Sequence, residues 1–510
     1  MVGAGAAGLM AGCAAADGGA LVTVLDHNEK AGKKIYITGK GRCNYTNACD
    51  TPDFFRHVPR NPKFLYSAVY GFDAAAMTQF LRENGCQVKE ERGQRCFPAS
   101  DKAYDVTDAL VRHLRAGGGR ILLNCGVKRI LTEDGDEEEP AGTSPAGEGC
   151  PGTARAGEHD ESTEHHDRID ITGLDRKDSG HGSPGVRSRG EKSCPPETMR
   201  RAIGVELCDG KILFADAVIV AAGGMSYPST GSAGDGYRFA RELGLVVNEP
   251  QPSLVPLITE EIWPASLQGL SLKNVAVRVE EFPGASTERN SDAEAAAPDT
   301  RGRRSGRKKS GPIYEGFGEM LFTHFGVSGP LILSASCHTD FMRHPEGYQL
   351  HLDLKPAMTQ EEVEQRLRRE FDAAPGKELR NVLRALLPQR LAEVMADLAA
   401  QQAGKDPSAP VRTWNEKEIR SLAGFLKDVT MHLTGTRGFG EAIITRGGVD
   451  VRQINPSTME TKNIRGLYWA GEVLDVDAYT GGFNLQIAWS TGHLAGESAA
   501  AGGNFNLSLM

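Results

Sequence analysis

Three glycines near the start of the chain have the spacing of a phosphate-binding turn. Residues 3–8 read Gly-Ala-Gly-Ala-Ala-Gly and lead into a small-residue segment typical of a helix. Gly3 permits a tight turn, Gly5 lets the backbone approach a pyrophosphate, and Gly8 allows a helix to pack closely on a strand. The N-terminus of such a helix offers free N–H groups and a positive potential to the phosphates. The pattern therefore predicts a dinucleotide site.

An acidic residue follows where a dinucleotide site needs one. A strand at 20–25 ends at Asp26, whose carboxylate can accept hydrogen bonds from ribose hydroxyls. Only Met1 and Val2 precede Gly3, so the first strand either is very short or is truncated by the start of the sequence. No second G-x-G-x-x-G occurs, which indicates one dinucleotide fold and leaves NAD and FAD open at this point.

Two later segments favour FAD. Residues 466–496 predict a short strand that ends in Gly471 and Glu472, a Gly-Gly turn and a helix. In two-part FAD folds such a segment returns to the first domain, and its helix N-terminus stabilises the negative charge of reduced flavin. Residues 218–224, Val-Ile-Val-Ala-Ala-Gly-Gly, predict a buried strand that ends in a glycine pair including Gly223, and they resemble a strand that lies in FAD proteins near the flavin or its linker.

A loop of small and polar residues follows the ribose acid. Residues 32–47 suit a backbone lying against a cofactor, and Lys33, Lys34 and Arg42 could neutralise a pyrophosphate. Cys43 in this loop could be a redox thiol. Because it has no vicinal cysteine, a packed loop residue is the favoured interpretation.

The elements that must position these residues alternate along the chain. Apolar periodicity predicts helices, and alternating or continuous apolar runs predict strands. Their order at the N-terminus indicates βαβ units on a parallel sheet, and hence an α/β fold. The further segments are helices at 73–84, 104–116 and 360–402 and strands at 211–222, 274–280 and 348–354.

Composition excludes several classes of protein. Of 510 residues, 39% are hydrophobic, and no run is apolar for the ~18 residues that a membrane helix requires. Residues 131–200 hold 17 acidic and 8 basic residues, so the net charge of -9 resides there and the rest is neutral. Ten cysteines without C-x-x-C indicate reduced thiols in the cytoplasm and argue against a zinc site. We therefore expect no nucleic-acid or membrane partner and no bound metal.

Two tracts are predicted to be solvated rather than packed. Residues 131–200 contain no aromatic residue and many glycines and prolines, so they read as a disordered insertion at the tip of a β-hairpin. The histidines of this insertion are interpreted as part of a polar tract. Residues 284–311 form a low-complexity loop with a basic run at 301–309. Such a run is more typical of a solvated loop than of a segment that contacts RNA.

The motifs together resemble a known family, the BaiN/YhiN-like NAD(P)/FAD-dependent oxidoreductases, also labelled aminoacetone-oxidase-type flavoproteins. The resemblance spans the chain apart from the two tracts. It is carried by Gly3–Gly8, Gly39–Asn47, Ala221–Asp235, Glu319–Pro330, Thr445–Asp450 and Gly471–Gly492.

The resemblance implies a Rossmann-like FAD-binding domain of three ββα layers, interrupted by an insert of β-barrel plus helices. The implied division is 1–252 and 441–510 for the FAD domain and 253–440 for the insert. With the glycine turn and Gly223, the implied FAD contacts are Gly3, Gly5, Ala7, Gly8, Asp26, Lys34, Gly41, Cys43, Asn44, Val127 (at the adenine), Gly223, Gly471, Glu472, Asn484 and Gln486.

The implied activity is reduction of an activated C=C bond by NADH or NADPH through tightly bound FAD, for a small molecule such as a 3-oxo-delta(4,6) bile acid. Tyr479 and His324 are candidate proton donors, with packing as the alternative role for both. Two other functions stay open. One is an oxidase of an amine or aminoketone that uses O₂, and the other is a non-catalytic or RNA-associated flavoprotein.

Overall fold

The structure is a computed structural model that describes residues 1–134, 199–282 and 311–503. Most of the insertion predicted at 131–200, including its histidines, lies outside the described residues. The same holds for the loop predicted at 284–311 with its basic run, apart from residue 311.

Helices and strands alternate through the N-terminal part, and a block of antiparallel strands and helices follows. The helices are α1 Ala6–Asp17, α2 Thr51–Phe54, α3 Tyr66–Gly71, α4 Ala74–Glu83, α5 Ala103–Ala116, α6 Asp235–Glu242, α7 Trp263–Ser266, α8 Pro330–Ser336, α9 Gln360–Ala373, α10 Leu379–Leu383, α11 Gln389–Gln402, α12 Glu416–Lys427 and α13 Phe483–Gly503. The strands are β1 Thr23–Leu25, β2 Thr46–Asn47, β3 Val88–Glu91, β4 Arg95–Pro98, β5 Arg120–Leu122, β6 Val127–Asp134, β7 Arg200–Leu207, β8 Ile212–Phe214, β9 Val218–Val220, β10 Val247–Ser253, β11 Leu257–Thr259, β12 Ser271–Glu281, β13 Tyr314–Thr323, β14 Gly326–Ser328, β15 Tyr348–Asp353, β16 Val429–Thr436, β17 Ile444–Val449, β18 Ile464–Arg465 and β19 Leu467–Trp469.

A parallel sheet carries the glycine turn, and a single residue stands at its centre. Strand β5 pairs with β1, and β19 pairs with β9, both in parallel. Val2 bridges the two pairs, because it forms parallel bridges to Leu25 and to Val220. Its N–H donates to Ile219 O and its carbonyl accepts from Ala221 N, both at 2.8 Å. Val2 is thus held on both sides, and the glycine turn follows it directly.

A β-hairpin and the helices α1 and α13 pack against this sheet. Strands β6 and β7 pair antiparallel from Val127–Leu207 to Asp134–Arg200, which confirms the hairpin predicted around the insertion. Apolar side chains of the hairpin, of β9 and of α13 share one buried cluster. The three ββα layers predicted for an FAD domain are therefore present.

Helix α13 closes the domain by packing on α1 through small residues. A Cβ added at Gly492 would lie 2.4 Å from Ala7 O, and one added at Gly496 would lie 2.3 Å from Ala11 O. Because those oxygens belong to the backbone, only glycine allows this approach. The C-terminal helix thus lies directly against the helix that follows the glycine turn.

The middle of the chain folds around a barrel. Strands β11, β14, β13, β12, β15 and β16 close in that order, and their inward side chains share a second buried cluster with α8 to α12. The predicted β-barrel plus helices is confirmed, and its strands fall within the predicted insert at 253–440.

The region predicted to be helical at 360–402 holds three helices, because Pro375 and Pro388 lack the N–H that a continuous helix needs. One predicted strand is wrong in extent. The strand predicted at 211–222 is two strands in different sheets, since β8 pairs with β7 whereas β9 pairs with β19.

Candidate active site

The glycine turn has the shape that a pyrophosphate requires. Gly3 has φ +105°, and a Cβ there would lie 2.5 Å from Ala221 O, so the turn needs glycine. A Cβ on Gly8 would lie 1.8 Å from Gly3 O. A Cβ on Gly5 would meet nothing within 4 Å, because Gly5 faces an open cavity. Gly5 is also the N-cap of α1 and has no side chain to cap it, which leaves the first helical N–H groups for an anion.

Asp26 is held in place beside this turn. Its Oδ2 accepts from Ala4 N at 2.7 Å, and its Oδ1 accepts from Asn28 N at 2.8 Å and from Asn28 Nδ2 at 2.9 Å. A carboxylate can accept about four hydrogen bonds, so Asp26 keeps capacity for about one more, from a ribose hydroxyl. The predicted ribose acid is therefore oriented before any ligand arrives.

One large cavity joins the glycine turn to the insert. Its volume is about 1410 Å³. Val127 lines it near Asp26, and Leu254, Leu333 and Tyr479 line it where the insert meets the C-terminal segment. Drug-sized ligands occupy sites of roughly 300–1,000 Å³. The cavity can therefore hold a dinucleotide together with a second, smaller molecule.

A buried polar cluster joins four distant segments at the wall of this cavity. Lys34 Nζ lies 2.7 Å from Glu472 Oε2 and donates to Ser226 Oγ at 2.5 Å. Glu472 Oε1 accepts from Ser226 Oγ at 2.6 Å and from Thr445 N at 2.8 Å. Ser226 and Thr445 lie in motifs that carry the family resemblance, but their sequence surroundings gave no reason to assign them a role.

The three cations predicted to neutralise the pyrophosphate have carboxylate partners instead. Lys34 pairs with Glu472, Lys33 pairs with Glu29 at 3.3 Å, and Arg42 binds both Glu91 and Asp101. Their charge is therefore largely compensated within the protein. The phosphates would depend on the N–H groups of the glycine turn.

Most of the predicted FAD contacts line the cavity. Those that do so are Gly3, Gly5, Ala7, Asp26, Lys34, Asn44, Val127, Gly223, Gly471, Glu472 and Asn484. Four others lie outside the lining. Gly8 packs α1 on the turn, and Gly41 lies in the loop beside the lining residues Lys40 and Arg42.

The remaining two, Cys43 and Gln486, are buried away from the cavity. Cys43 is 0% exposed, and burial raises the pKa of its thiol to about 12, so it does not form the thiolate of a redox site. Gln486 accepts from Thr46 Oγ1 at 2.6 Å and donates to Phe72 O at 3.0 Å. Its amide is thus engaged on both sides and is not free for an isoalloxazine ring.

The N-terminus of α13 faces the cavity, as predicted for the flavin end. Gly482 has φ +103°, and a Cβ there would lie 2.5 Å from Thr46 O. Asn484 Oδ1 accepts from Ala478 N at 2.8 Å, and its Nδ2 donates to Ala478 O at 2.6 Å. This amide fixes the loop that carries Tyr479 into the cavity.

Tyr479 and two histidines stand at the insert end. Tyr479 OH lies 2.7 Å from His338 Nε2, and Tyr479 N donates to His57 O at 2.9 Å. Burial raises the pKa of Tyr479 to about 12. His324, the other candidate proton donor, is exposed in the turn between β13 and β14 and does not line the cavity. No periodic pattern in the sequence indicated His338.

The residues present fit FAD on two observations besides volume. Gly5 leaves open the space that a pyrophosphate needs at the glycine turn. Asn44 Oδ1 is buried at the cavity without a hydrogen-bond partner among the described residues. Leaving such an atom without a hydrogen bond costs free energy unless a ligand or a water molecule supplies one.

The described residues offer neither a membrane-spanning helix nor a metal-binding cluster. No helix there is long and apolar enough to cross a membrane. No group of three or more His, Cys, Asp or Glu side chains there could hold a metal ion.

Comparisons with known proteins give the following similarities. The family model described as HI0933-like protein Rossmann domain matches residues 1–141 and 192–498. The ribosomal RNA dihydrouridine synthase of Escherichia coli (strain K12) is 26% identical over 491 residues, which cover 96% of this chain and 95% of that protein. The 3-dehydro-bile acid delta(4,6)-reductase of Clostridium scindens is 27% identical over 503 residues, which cover 98% of each. A solved structure, the 3-ketosteroid-delta4-(5alpha)-dehydrogenase from Rhodococcus jostii RHA1, is 15% identical with a TM-score of 0.41, covering 98% of this chain and 95% of that one.

Proposed function

Because the chain belongs to the HI0933-like protein Rossmann domain family, we propose that this FAD-dependent oxidoreductase uses NADH or NADPH to reduce a C=C bond conjugated to a carbonyl group. The family match confirms the resemblance drawn from the motifs, whereas the electron donor and the substrate belong to the proposal. The observation that carries it is one cavity with a dinucleotide cradle at one end and Tyr479 at the other.

The chain's own groups divide the work along this cavity. The glycine turn at Gly5 would hold the pyrophosphate, and Asp26 the ribose of the adenosine half. The N-terminus of α13 would face the ring system and stabilise negative charge there. When bound, FAD supplies a hydride acceptor and donor to this site. Tyr479 would place an O–H group at the substrate.

The names of two relatives describe one kind of bond. Dihydrouridine is uridine whose C5=C6 bond, conjugated to a ring carbonyl, has been reduced. A delta(4,6)-reductase of a 3-dehydro bile acid acts on C=C bonds conjugated to a ketone. Both reactions add a hydride and a proton across such a bond. This shared chemistry supports a reductase of an activated C=C bond.

The wall of the insert end favours a small apolar substrate. Leu254, Pro330, Leu333, Ile443 and Ile444 line the cavity there. Apolar walls with few polar groups bind ligands by burial and orient them by the polar groups. A 3-oxo-delta(4,6) steroid has this balance of apolar surface and few polar groups. Its enone oxygen or an enone carbon could contact Tyr479.

The test is anaerobic titration of the purified FAD-loaded protein with NADH and then NADPH, followed by visible flavin absorbance. We expect bleaching by one of them and recovery of colour on adding a 3-oxo-delta(4,6) steroid. The saturated 3-oxo steroid is the matched control and should not restore colour. Bleaching by an amine or aminoketone, with none by NAD(P)H, would contradict the proposal and favour the oxidase.

A second candidate substrate, uracil in single-stranded RNA, is favoured by an aromatic series near the cavity. Phe483 lines the cavity, and its ring centroid lies 5.7 Å from that of Phe54. The series continues to Phe55 at 5.5 Å and to Tyr66 at a further 4.6 Å. Tyr66 and Tyr70 are 45% and 62% exposed.

Exposed aromatic rings of this kind bind bases by stacking. Each stacked base contributes about 1–3 kcal/mol, with little dependence on sequence. An exposed cation stands nearby, since Arg56 follows Phe55 in the chain. Overall neutrality led us to expect no nucleic-acid partner, but stacking does not require a large net charge. Composition does not show which aromatic side chains are exposed, so the sequence alone did not reveal this segment.

The RNA candidate is tested by fluorescence anisotropy with a uridine-rich single-stranded RNA. Tyr66→Ala combined with Tyr70→Ala should weaken binding by about 5- to 150-fold, the equivalent of about 1–3 kcal/mol. Tyr104→Ala is the matched control, because Tyr104 is 53% exposed on α5. Equal affinity of the double variant and the wild type would refute the stacking surface.

A further inference from the structure

His338 lies behind the cavity rather than on its wall. It follows α8 in the insert, whereas Tyr479 precedes α13 in the FAD domain. Tyr479 lines the cavity and His338 does not. Tyr479 OH lies 2.7 Å from His338 Nε2, within hydrogen-bond distance. His338 therefore reaches a bound substrate only through the tyrosine hydroxyl.

The surroundings of His338 combine aromatic packing with a buried cation. The Tyr314 ring lies 5.5 Å from the imidazole. Arg446, only 4% exposed, donates to Cys337 O at 3.0 Å, next to His338 in the chain. Burial, and secondarily the charge of Arg446, lowers the pKa of His338.

Carboxylates partly offset this cation. Asp340 Oδ2 lies 4.0 Å from Arg446 Nη2. Asp477 is buried, accepts from Ser253 Oγ at 2.8 Å, and has its pKa raised, chiefly by burial. The net result of burial and these charges is a pKa of His338 below its ordinary value.

We propose that His338 is the positioning residue that orients the Tyr479 hydroxyl and replaces its proton during substrate reduction. This inference rests on the proposed C=C reduction. With reduced FAD bound, a hydride supplied by it would form the C–H bond at the β-carbon, and the substrate would gain the two electrons that the cofactor gives up. The π pair of the C=C bond then takes the Tyr479 proton at the α-carbon. As that O–H bond breaks, the N–H bond of protonated His338 breaks and restores it, and solvent later returns a proton to the imidazole.

The relay follows from what each group can do alone. Tyr479 alone would be left as a tyrosinate, which its raised pKa of about 12 disfavours. Because the relay needs protonated His338, substrate reduction should slow as pH rises through the lowered pKa of His338. The expected slope above that pKa is about tenfold per pH unit.

The first experiment is stopped-flow reoxidation of the pre-reduced, FAD-loaded protein by a 3-oxo-delta(4,6) steroid between about pH 5 and pH 8. His338→Gln should lose the pH-dependent step but keep the rate of flavin reduction by NAD(P)H. Tyr479→Phe should lose the same step, and the double variant should be no slower than Tyr479→Phe. His324→Gln, an exposed histidine of the same insert, should behave as wild type.

A second readout does not depend on turnover. Histidine ring titrations by ¹⁵N NMR, with the His338 signal assigned by its absence from His338→Gln, should give a pKa below the ordinary value. Tyr479→Phe should shift it. An unchanged His338 titration in Tyr479→Phe would refute the pair itself. If the steroid reoxidises wild type and His338→Gln keeps the wild-type pH profile, only the relay fails. If NAD(P)H reduces the wild type but no enone reoxidises it, the proposed function fails and the relay fails with it.

Discussion

Two glycines three residues apart should respond to the same substitution in opposite ways. Gly5 has φ -80°, which alanine adopts freely, and its added Cβ would meet no protein atom within 4 Å. Gly5→Ala should therefore fold normally, within about 1 kcal/mol of wild type. Its methyl group would occupy the space where a pyrophosphate approaches the turn. FAD binding should suffer while the protein stays intact.

The size of the loss follows from the hydrogen bonds at stake. Pushing the phosphates outward by the width of a methyl group removes at least one charge-assisted N–H bond, worth about 1.5–3 kcal/mol. That corresponds to a dissociation constant for FAD about 10- to 150-fold higher. Gly8→Ala is the contrasting change, because its Cβ would lie 1.8 Å from Gly3 O, a backbone atom that cannot turn aside. We expect a loss of about 3 kcal/mol or more in the free energy of unfolding.

The assays are thermal and urea unfolding of the FAD-free proteins and titration with FAD followed by flavin fluorescence. Gly12→Ala is a further control within α1, since its Cβ would meet only the side chains of Leu114 and Val24, at 3.1 and 3.2 Å. It should lose some stability with no specific effect on FAD. A Gly5→Ala protein that binds FAD as tightly as wild type would refute the placement of the pyrophosphate at this turn.

Three more predictions concern the cavity wall and its surroundings. Glu472→Gln removes the charged partner that lies 2.7 Å from Lys34, so it should lower the free energy of unfolding by about 1–3 kcal/mol. An unchanged midpoint of urea unfolding would show that the cluster does not join its four segments. Gln486→Leu leaves Thr46 Oγ1 and Phe72 O without this partner, so it should lower stability by a similar amount. The dissociation constant of FAD for the folded protein should stay the same. Weaker FAD binding at unchanged stability would instead support the FAD contact of Gln486 that the resemblance implies. Mass spectrometry after brief alkylation should find Cys208, which is exposed, modified and Cys43 unmodified, since burial raises the pKa of Cys43 to about 12; rapid modification of Cys43 in folded protein would contradict its placement.

The parts of the site that depend on local sequence could be predicted. Gly3, Gly5, Gly8 and Asp26 lie within one βαβ unit, so spacing alone defines their geometry. The glycine pair before α13 was predicted for the same reason, because its turn and helix are neighbours in the chain.

Residues whose partners lie far away in the chain could not be assigned in this way. Lys34 looked like a free cation because Glu472 stands 438 positions later. Gln486 looked available because Thr46 and Phe72 lie more than 400 positions earlier. His338 meets Tyr479 across 141 positions and follows no periodic pattern. Pairing of this kind is set by how distant segments pack, within the FAD domain for Lys34 and Gln486 and between the insert and the FAD domain for His338.

The cofactor domain is assembled from both ends of the chain, and this has a consequence for biosynthesis. Asp26 leaves the ribosome long before Glu472 and α13, and at about 5–20 residues per second the interval is roughly 20 to 90 s. During that time the barrel can form its own core, but the helix that packs on α1 and the glycine pair before it do not yet exist. A nascent chain at this stage cannot complete the cavity, however abundant FAD is. Loading must wait for the synthesis of α13, so an apo-protein precedes the loaded form of every molecule.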